Sequence, residues 1–596
     1  ATAFKKTVDK LGIVYTPVEI VDFILRSADE VLRQHFGQGL TDEGVHVLDG
    51  FTGTGTFITR LLQLGLIEPQ DLARKYAHEL HANEILLLAY YIAAVNIETT
   101  YQDLRGSLGE EADYEPFPGL ILTDTFQSWE AGDRLDTTVF VQNNERLEKL
   151  KALDIQVIVG NPPYSSGQDS ANDDNANEKY DDLDRAIRET YAARSTATLK
   201  NSLYDSYIRA IKWASLRIAD RGVVAFVTNG GWLDSNTADG MRLTLAEEFS
   251  DIHVLNLRGN QRTAGEQSRR EGGKVFGGGS RATVAITILV KDPAYTGRAR
   301  IHYTDIGDYL TREEKLVKVA GVERVSGLEP VTHLTPNAHG DWLHQRRDDF
   351  VRLIPLHASN GTKIFETSSG GLKTNRSAWV YNANQGRLRW TVKEMIGRFN
   401  EEVTRLQGAS EHEVPSLVNK DPSVLSWDVN AYRAVARGRS SQYDDSAIRQ
   451  AAFRPFERDF VYFHPDWNPR QGRLPSFFPT ATAHNFGVLL VAATPRTPFS
   501  LTMVDAVPDL SFFMDAGQFF PRWRYEKVDT DDGMLAFDAA KDGDVVDGYR
   551  RVDNVTDESL GRFHAAYGES VTKDDVFFYV YGLLHSPDYR ETYAAD

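Results

Sequence analysis

In the first half of the chain short β-like runs alternate with longer amphipathic stretches, and several of the runs are nearly continuous in apolar residues. The runs lie at 45–48, 76–79, 120–123, 155–159, 223–228, 252–257 and 283–290. A strand that is apolar on both faces is one that a sheet buries on both sides, so the seven runs predict a mostly parallel sheet covered by helices. The stretches between the first five are long enough for crossover helices, most clearly 85–95 and 204–218. The last two runs are joined by a Gly- and Arg-rich segment, 258–281, without helical periodicity, which predicts a long hairpin. The expected layout is five parallel strands followed by an antiparallel pair.

Beyond residue 290 the texture changes. Gly321, Pro330, Pro336 and Gly340 mark 320–342 as a linker. After it come aromatic-Pro-Arg stretches, Phe453-Arg454-Pro455-Phe456-Glu457-Arg458 and Trp467-Asn468-Pro469-Arg470, with 393–406 as an isolated helix. The expected division is an α/β domain over 1–330 and a mixed α+β domain over 331–596, and a length of 596 residues suits two large domains.

Composition narrows the function classes. With 41% hydrophobic and 25% charged residues the chain builds an ordinary globular core, which excludes global disorder. The absence of cysteine excludes disulfide scaffolds, cysteine-ligated metal centres and cysteine nucleophiles, and suits a reducing cytoplasm. The longest apolar run, 85–95, is too short to span a bilayer, and no signal-peptide pattern opens the sequence. A net charge of −19 argues against coating DNA by bulk charge and leaves local basic surfaces open.

The first candidate chemistry follows the first strand. Asp49-Gly50-Phe51-Thr52-Gly53-Thr54-Gly55 is a strand end running through a Gly-rich turn into a helix. Glycines there let backbone approach a ligand closely, although the turn alone equally suits a tight connection with no ligand. Glu79, at the end of the next predicted strand, is placed to accept hydrogen bonds from ribose hydroxyls. No GxxxxGK[ST] phosphate loop occurs, and Asp49 would repel a pyrophosphate, so an adenosine carrier without phosphates, S-adenosylmethionine, fits best.

The second lies at the end of the fourth run, where Asn161-Pro162-Pro163-Tyr164 follows 155–159. The prolines stiffen the turn and turn carbonyls outward. The Asn161 amide oxygen and the Pro162 carbonyl then form two fixed acceptors for the hydrogens of an exocyclic amine, and Tyr164 offers a flat ring on which a planar substrate stacks.

In this order, Asp49-x-Phe51-x-Gly53-x-Gly55, Glu79, Asp124 and Asn161-Pro-Pro-Tyr164 resemble the amino-methyltransferases that act on DNA bases, in their gamma arrangement. The resemblance implies that Tyr15, Thr16 and Pro17 form a cofactor-closing motif. It also implies that Asp124 holds the cofactor adenine, that Asp49 and Phe51 border its methionine part, and that Phe276, in Val275-Phe276-Gly277, covers the second face of an extruded base. Leu11 to Phe23, Lys200 to Tyr207 and Arg281 to Thr287 are similar to the methyltransferase segment of Type ISP restriction–modification enzymes, in which one polypeptide also carries a nuclease, a helicase-like ATPase and a target recognition domain. The implied fold is a Rossmann-like, seven-stranded S-adenosylmethionine-dependent methyltransferase domain followed by a target recognition domain. The chain lacks a Walker motif and a recognisable nuclease, so it resembles the modification part, with those activities on the same or a companion chain.

Double-stranded DNA is the implied partner. Arg258, Arg262, Arg269, Arg270, Lys274 and Arg281, six cations against Glu266 and Glu271, form a phosphate-binding loop beside the base pocket. Arg433, Arg437, Arg439, Arg454, Arg458, Arg470 and Arg473 are candidates for phosphate and base-edge contacts. The acidic, Asn-rich segment 165–184 is a candidate lid. The expected reaction is metal-free transfer to adenine N6 of a flipped-out base, as the modification part of a restriction–modification or phage-defence system. Cytosine N4, a protein glutamine amide and a catalytically silent specificity protein remain as alternatives.

Overall fold

A computed structural model describes residues 15–109, 113–130, 141–164, 179–197, 200–218, 220–263, 265–276, 281–492, 498–528 and 545–595. The chain divides into two compact units, one ending at Arg346 and the other running from Arg347 to Ala594.

The first unit is built on a sheet of nine strands among the described residues: β1 (Val47–Asp49), β2 (Leu80–Glu84), β3 (Leu120–Leu122), β4 (Val157–Gly160), β5 (Gly222–Asn229), β6 (Asp251–Arg258), β7 (Val284–Lys291), β8 (Arg300–Asp305) and β9 (Thr332–Leu334). Their spatial order is β3-β2-β1-β4-β5-β7-β6-β8-β9. The first five are mutually parallel, and β7 inserts antiparallel between β5 and β6. This is the expected five-plus-two layout, extended by β8, which pairs onto β6, and by β9, which pairs onto β8.

The apolar runs explain the layering. Side chains alternate along a strand, so Val157, Val159, Val223, Ala225 and Val227 enter one core while Ile158, Val224 and Phe226 enter the other. The first core is closed by helices Val18–Phe36, Thr56–Gln63 and Leu87–Ser107; the second by Val141–Ala152, Ser206–Arg217 and Asp239–Glu248. Helix Val18–Phe36 starts directly after Pro17 and stops at Gly37, whose φ of 67° only glycine adopts without strain.

Three expectations are corrected. The run at 76–79 is no strand: Lys75–Glu79 is a single π-helical turn, and β2 starts only at Leu80. The segment between β6 and β7 contains a short helix, Gly265–Glu271. The stretch 320–342 is no linker, because residues to Arg346 are tied into the first unit. Buried Arg242 donates to the Gly340 carbonyl at 2.7 Å and to Asp341 at 3.3 Å, Arg346 pairs with Asp341 at 2.8 Å, and Trp342 packs edge-on against Trp232.

The second unit is mixed α+β. One sheet is built from Ser369–Gly370, Gln518–Pro521, Gly487–Val491 and Ser500–Val504, and another from Tyr381–Asn382, Glu457–Tyr462, Ile448–Arg454 and Val507–Pro508. The helix expected at 393–406 is longer, Gln385–Arg405, and far from isolated: Leu388, Val392, Met395, Ile396, Phe399 and Val403 bury its apolar face in the core. No helix among the described residues is long and apolar enough to cross a membrane.

Candidate functional site

In a parallel sheet the strand ends and the turns that follow them converge on one edge, and here that edge gathers most of the sequence-predicted residues. Asp49 ends β1. Its Oδ1 accepts the Phe51 amide at 3.1 Å, while Oδ2 is buried without a hydrogen-bond partner among the described residues. Burial pushes its pKa up to about 8. Gly53 and Gly55 have φ of 56° and 87°. A Cβ on Gly55 would stand 3.2 Å from the Ala93 backbone, whereas the Gly53 position opens onto free space. Phe51 lies 5.5 Å from Phe126 and 5.9 Å from Trp213, ring to ring, forming an aromatic wall beside the turn.

The acid at the end of β2 is Glu84, which the sequence reading missed. Its Oε2 accepts the Gly53 amide at 2.7 Å and its Oε1 the Leu86 amide at 2.7 Å, so it braces the Gly turn from the neighbouring strand. Burial raises its pKa. Glu79 lies before β2, away from this edge. It accepts the Gly44 amide at 2.7 Å and pairs with Arg74 and with fully buried Lys75, the latter at 2.9 Å. That placement corrects the assignment of Glu79 to a ribose. The signal for Glu84 was the polar-ended strand His81-Ala82-Asn83-Glu84, which the apolar run beginning at Ile85 obscured.

Asp124 follows β3. Its Oδ1 caps the next turn by accepting the Phe126 amide at 2.8 Å, and Oδ2 accepts the Tyr180 hydroxyl at 3.0 Å. Oδ1 also accepts the Gln127 amide at 3.2 Å, and a carboxylate retains acceptor capacity beyond these three bonds.

Asn161 follows β4. Its amide nitrogen donates to Thr16 Oγ1 at 3.0 Å, which joins the segment Tyr15-Thr16-Pro17 to the acceptor turn. Tyr15 is exposed, Pro162 is buried and Pro163 is exposed. The Tyr164 hydroxyl lies 2.7 Å from Asn161 Oδ1 and 3.1 Å from the Val227 carbonyl, and its single proton serves one of them at a time. Phe276 is buried, with its ring 6.1 Å from Tyr164 at a tilt of 50°. Gly277 and residues 165–178 of the candidate lid lie outside the described residues.

The candidate DNA contacts divide. Arg258 is neutralised by Asp305 at 2.7 Å and by Asp308, which removes it from the free cations of its loop. Arg262, Arg269, Arg270 and Arg281 are exposed, Arg269 facing Glu266 at 3.5 Å, and Lys274 is half-buried. Arg454 pairs with Asp509, Arg458 with Asp505, and Arg473 bonds Thr367; Arg470 is exposed. Arg433, Arg437 and Arg439 line one cleft of about 360 Å³ with Asn430, Asp466 and Trp467. Surface pairs such as Arg433–Glu411, 2.7 Å and about half exposed, contribute about 0–1 kcal/mol.

Residues 363–596 match the family model of the Type ISP C-terminal specificity domain. Three solved structures align along almost the whole chain. The nuclease-deleted Type ISP restriction–modification enzyme LlaGI, in complex with a DNA substrate mimic, is 39% identical over 98% of this chain and 45% of its own, with a TM-score of 0.78. The ATP-dependent Type ISP enzyme LlaBIII bound to DNA is 37% identical over 100% of this chain and 38% of its own, TM-score 0.80. DrdV in a DNA complex is 33% identical over 100% of this chain and 56% of its own, TM-score 0.79. The chain therefore spans about two fifths to just over half of these relatives. No curated protein matches it.

Proposed function

We propose, from the premise that this chain belongs to the Type ISP restriction–modification family, that it transfers a methyl group from S-adenosylmethionine to the N6 amine of an adenine in double-stranded DNA. One observation carries the reading: Asn161-Pro162-Pro163-Tyr164 leaves β4 beside a Gly turn whose Asp49 keeps a buried carboxyl oxygen without a hydrogen-bond partner among the described residues. That oxygen, the open face of Gly53 and the acid at the end of β2 together suit a nucleoside cofactor with a cationic tail. The cofactor supplies an electrophilic methyl group when bound.

The protein's own task is to aim the amine. Asn161 Oδ1 and the Pro162 carbonyl accept its two hydrogens and leave the nitrogen lone pair directed at the methyl group. Without substrate, Tyr164 bonds Asn161 Oδ1. Moving its proton to the Val227 carbonyl frees that acceptor without orphaning the hydroxyl. Two rings that sandwich a base need about 7 Å between their planes, twice a carbon contact distance. Tyr164 and Phe276, tilted at 6.1 Å, must therefore part as the base enters. Rotation of the Tyr164 hydroxyl clears the acceptor, and a separate displacement of one of the two rings opens the stack.

The chain expressed in methylation-free cells is expected to leave 6-methyladenine at a single sequence motif, read by sequencing that separates it from 4-methylcytosine. Asn161→Ala is expected to lower turnover roughly 10²-fold or more with cofactor affinity within a few-fold, the effect of losing one oriented acceptor. Methylation at cytosine, or a variant retaining a tenth of the wild-type rate, overturns the assignment.

A further inference from the structure

The sheet edge farthest from the Gly turn gathers a second set of titratable side chains that methyl transfer does not use. β6 pairs parallel with β8, with Asp251 opposite Arg300 and His253 opposite His302, and β8 pairs antiparallel with β9, with His302 opposite His333. Cross-strand partners and residues two apart share a face, so all five side chains project from one side of the sheet. The last turn of helix Val18–Phe36 brings His35 over the same face, its Nε2 3.7 Å from Asp251 Oδ2 and its Nδ1 3.8 Å from Asp292.

The inner three groups converge. His302 Nε2 is 3.1 Å from Asp251 Oδ1, and the rings of His253 and His302 stack at 4.4 Å with planes 10° apart. One ligand atom from each of Asp251, His253 and His302 lies within 4.8 Å of the other two. Asp251 is 3% exposed. Arg300 donates to its Oδ2 at 2.6 Å, which fixes the carboxylate and leaves Oδ1 turned to the histidines.

We propose that Asp251, His253 and His302 bind one late first-row transition-metal dication of the zinc class. Two imidazoles and one carboxylate form a donor set that zinc and its neighbours take, whereas calcium and magnesium require oxygen. The ion replaces the hydrogen bond between Asp251 Oδ1 and His302 Nε2, and His302 carries its proton on Nδ1 instead. Bonds of about 2.0–2.2 Å draw the three ligand atoms closer than they now stand, a movement that rotation of the half-buried rings supplies. His35 or a water completes the tetrahedron, and Arg300 acts as the outer partner that orients the carboxylate. The site lies at the amino ends of β6 and β8, opposite the edge that carries Asp49 and Asn161, so the ion staples two strands that chain topology joins only through β7 and the 292–299 turn.

The test uses the untagged full chain, stripped with chelator and then titrated with Zn²⁺ by calorimetry and with Co²⁺ by visible absorption. One ion per chain is expected, with affinity at least tenfold weaker in His253→Gln/His302→Gln. Wild-type binding no tighter than that of the double variant overturns the proposal. Thermal melting of the wild-type chain gives a second readout that needs no variant. Zn²⁺ is expected to raise Tm where the same concentration of Mg²⁺ leaves it unchanged, because an ion bound only by the native state stabilises it. Equal shifts with both ions, or none with Zn²⁺, overturn the proposal.

Discussion

Asp49 is the residue at which the proposed cofactor binding would depend on pH. Its carboxyl has one oxygen on the Phe51 amide and the other without a partner among the described residues, and burial raises its pKa from 3.8 to about 8. At pH 7 the ligand-free protein therefore holds Asp49 as a neutral acid, while the unfolded chain holds it ionised. Between about 4 and about 8 the folded state binds the extra proton, so this residue's contribution to stability declines as pH rises through that window. A cationic ligand tail favours the carboxylate and expels the proton. Apparent S-adenosylmethionine affinity is thus expected to rise with pH, by up to about tenfold per unit below 8, and to level off above it. Calorimetry in two buffers of different ionisation heat measures the proton released. Affinity independent of pH with no proton release would show that Asp49 stays protonated beneath the ligand.

At the scale of elements the instructive case is β2. The strand predicted at 76–79 made Glu79 its terminal acid, but Tyr76 and its neighbours form a π-helical turn that packs inward from outside the sheet, with the Tyr76 ring stacked 3.6 Å from Tyr101. The strand itself is buried yet polar, His81-Ala82-Asn83-Glu84, so a hydrophobic pattern cannot announce it. Runs that were apolar throughout, at β4, β5 and β7, were legible because burial on both sheet faces demands that composition. The acceptor turn after β4 was legible for another reason: two consecutive prolines dictate local geometry whatever surrounds them. The contrast between the two acids is measurable. Glu84→Gln is expected to weaken S-adenosylmethionine by about 1–3 kcal/mol through lost charge-assisted bonds. Glu79→Ala is expected to leave cofactor affinity within about twofold. It should instead lower unfolding stability by about 3–5 kcal/mol, because Lys75, fully buried, keeps its bonds to the Asp42 and Val45 carbonyls but loses its paired carboxylate. The reverse pattern in paired calorimetry and denaturant titrations would return the ribose to Glu79.

Across the whole molecule, the extent of the first unit decides what each part is able to do alone. Prolines and glycines at 320–342 resemble a linker because the same residues serve linkers and tight turns, and only tertiary contacts separate the two. Those contacts are specific here. Arg242, 1% exposed, is held by the carbonyls of Trp232, Ser235 and Gly340 and by Asp341, while β9 caps β8 at the sheet's edge. A fragment cut after residue 330 loses Asp341, Gly340 and Trp342 together, leaving a buried guanidinium short of its charge partner and a hole beside Trp232. A fragment cut after Arg346 keeps all of them. The longer fragment is expected to melt cooperatively and to bind S-adenosylmethionine like the full chain. The shorter one is expected to melt at least several degrees lower or to remain insoluble, since one unpaired buried charge costs about 3–5 kcal/mol. Neither fragment is expected to methylate a defined sequence, because the cleft arginines Arg433, Arg437 and Arg439 and the matched specificity domain at 363–596 lie beyond both cuts. Equal melting temperatures would restore the boundary to 330. Motif-specific methylation by the longer fragment would move sequence reading into the first unit, to the exposed arginines between β6 and β7.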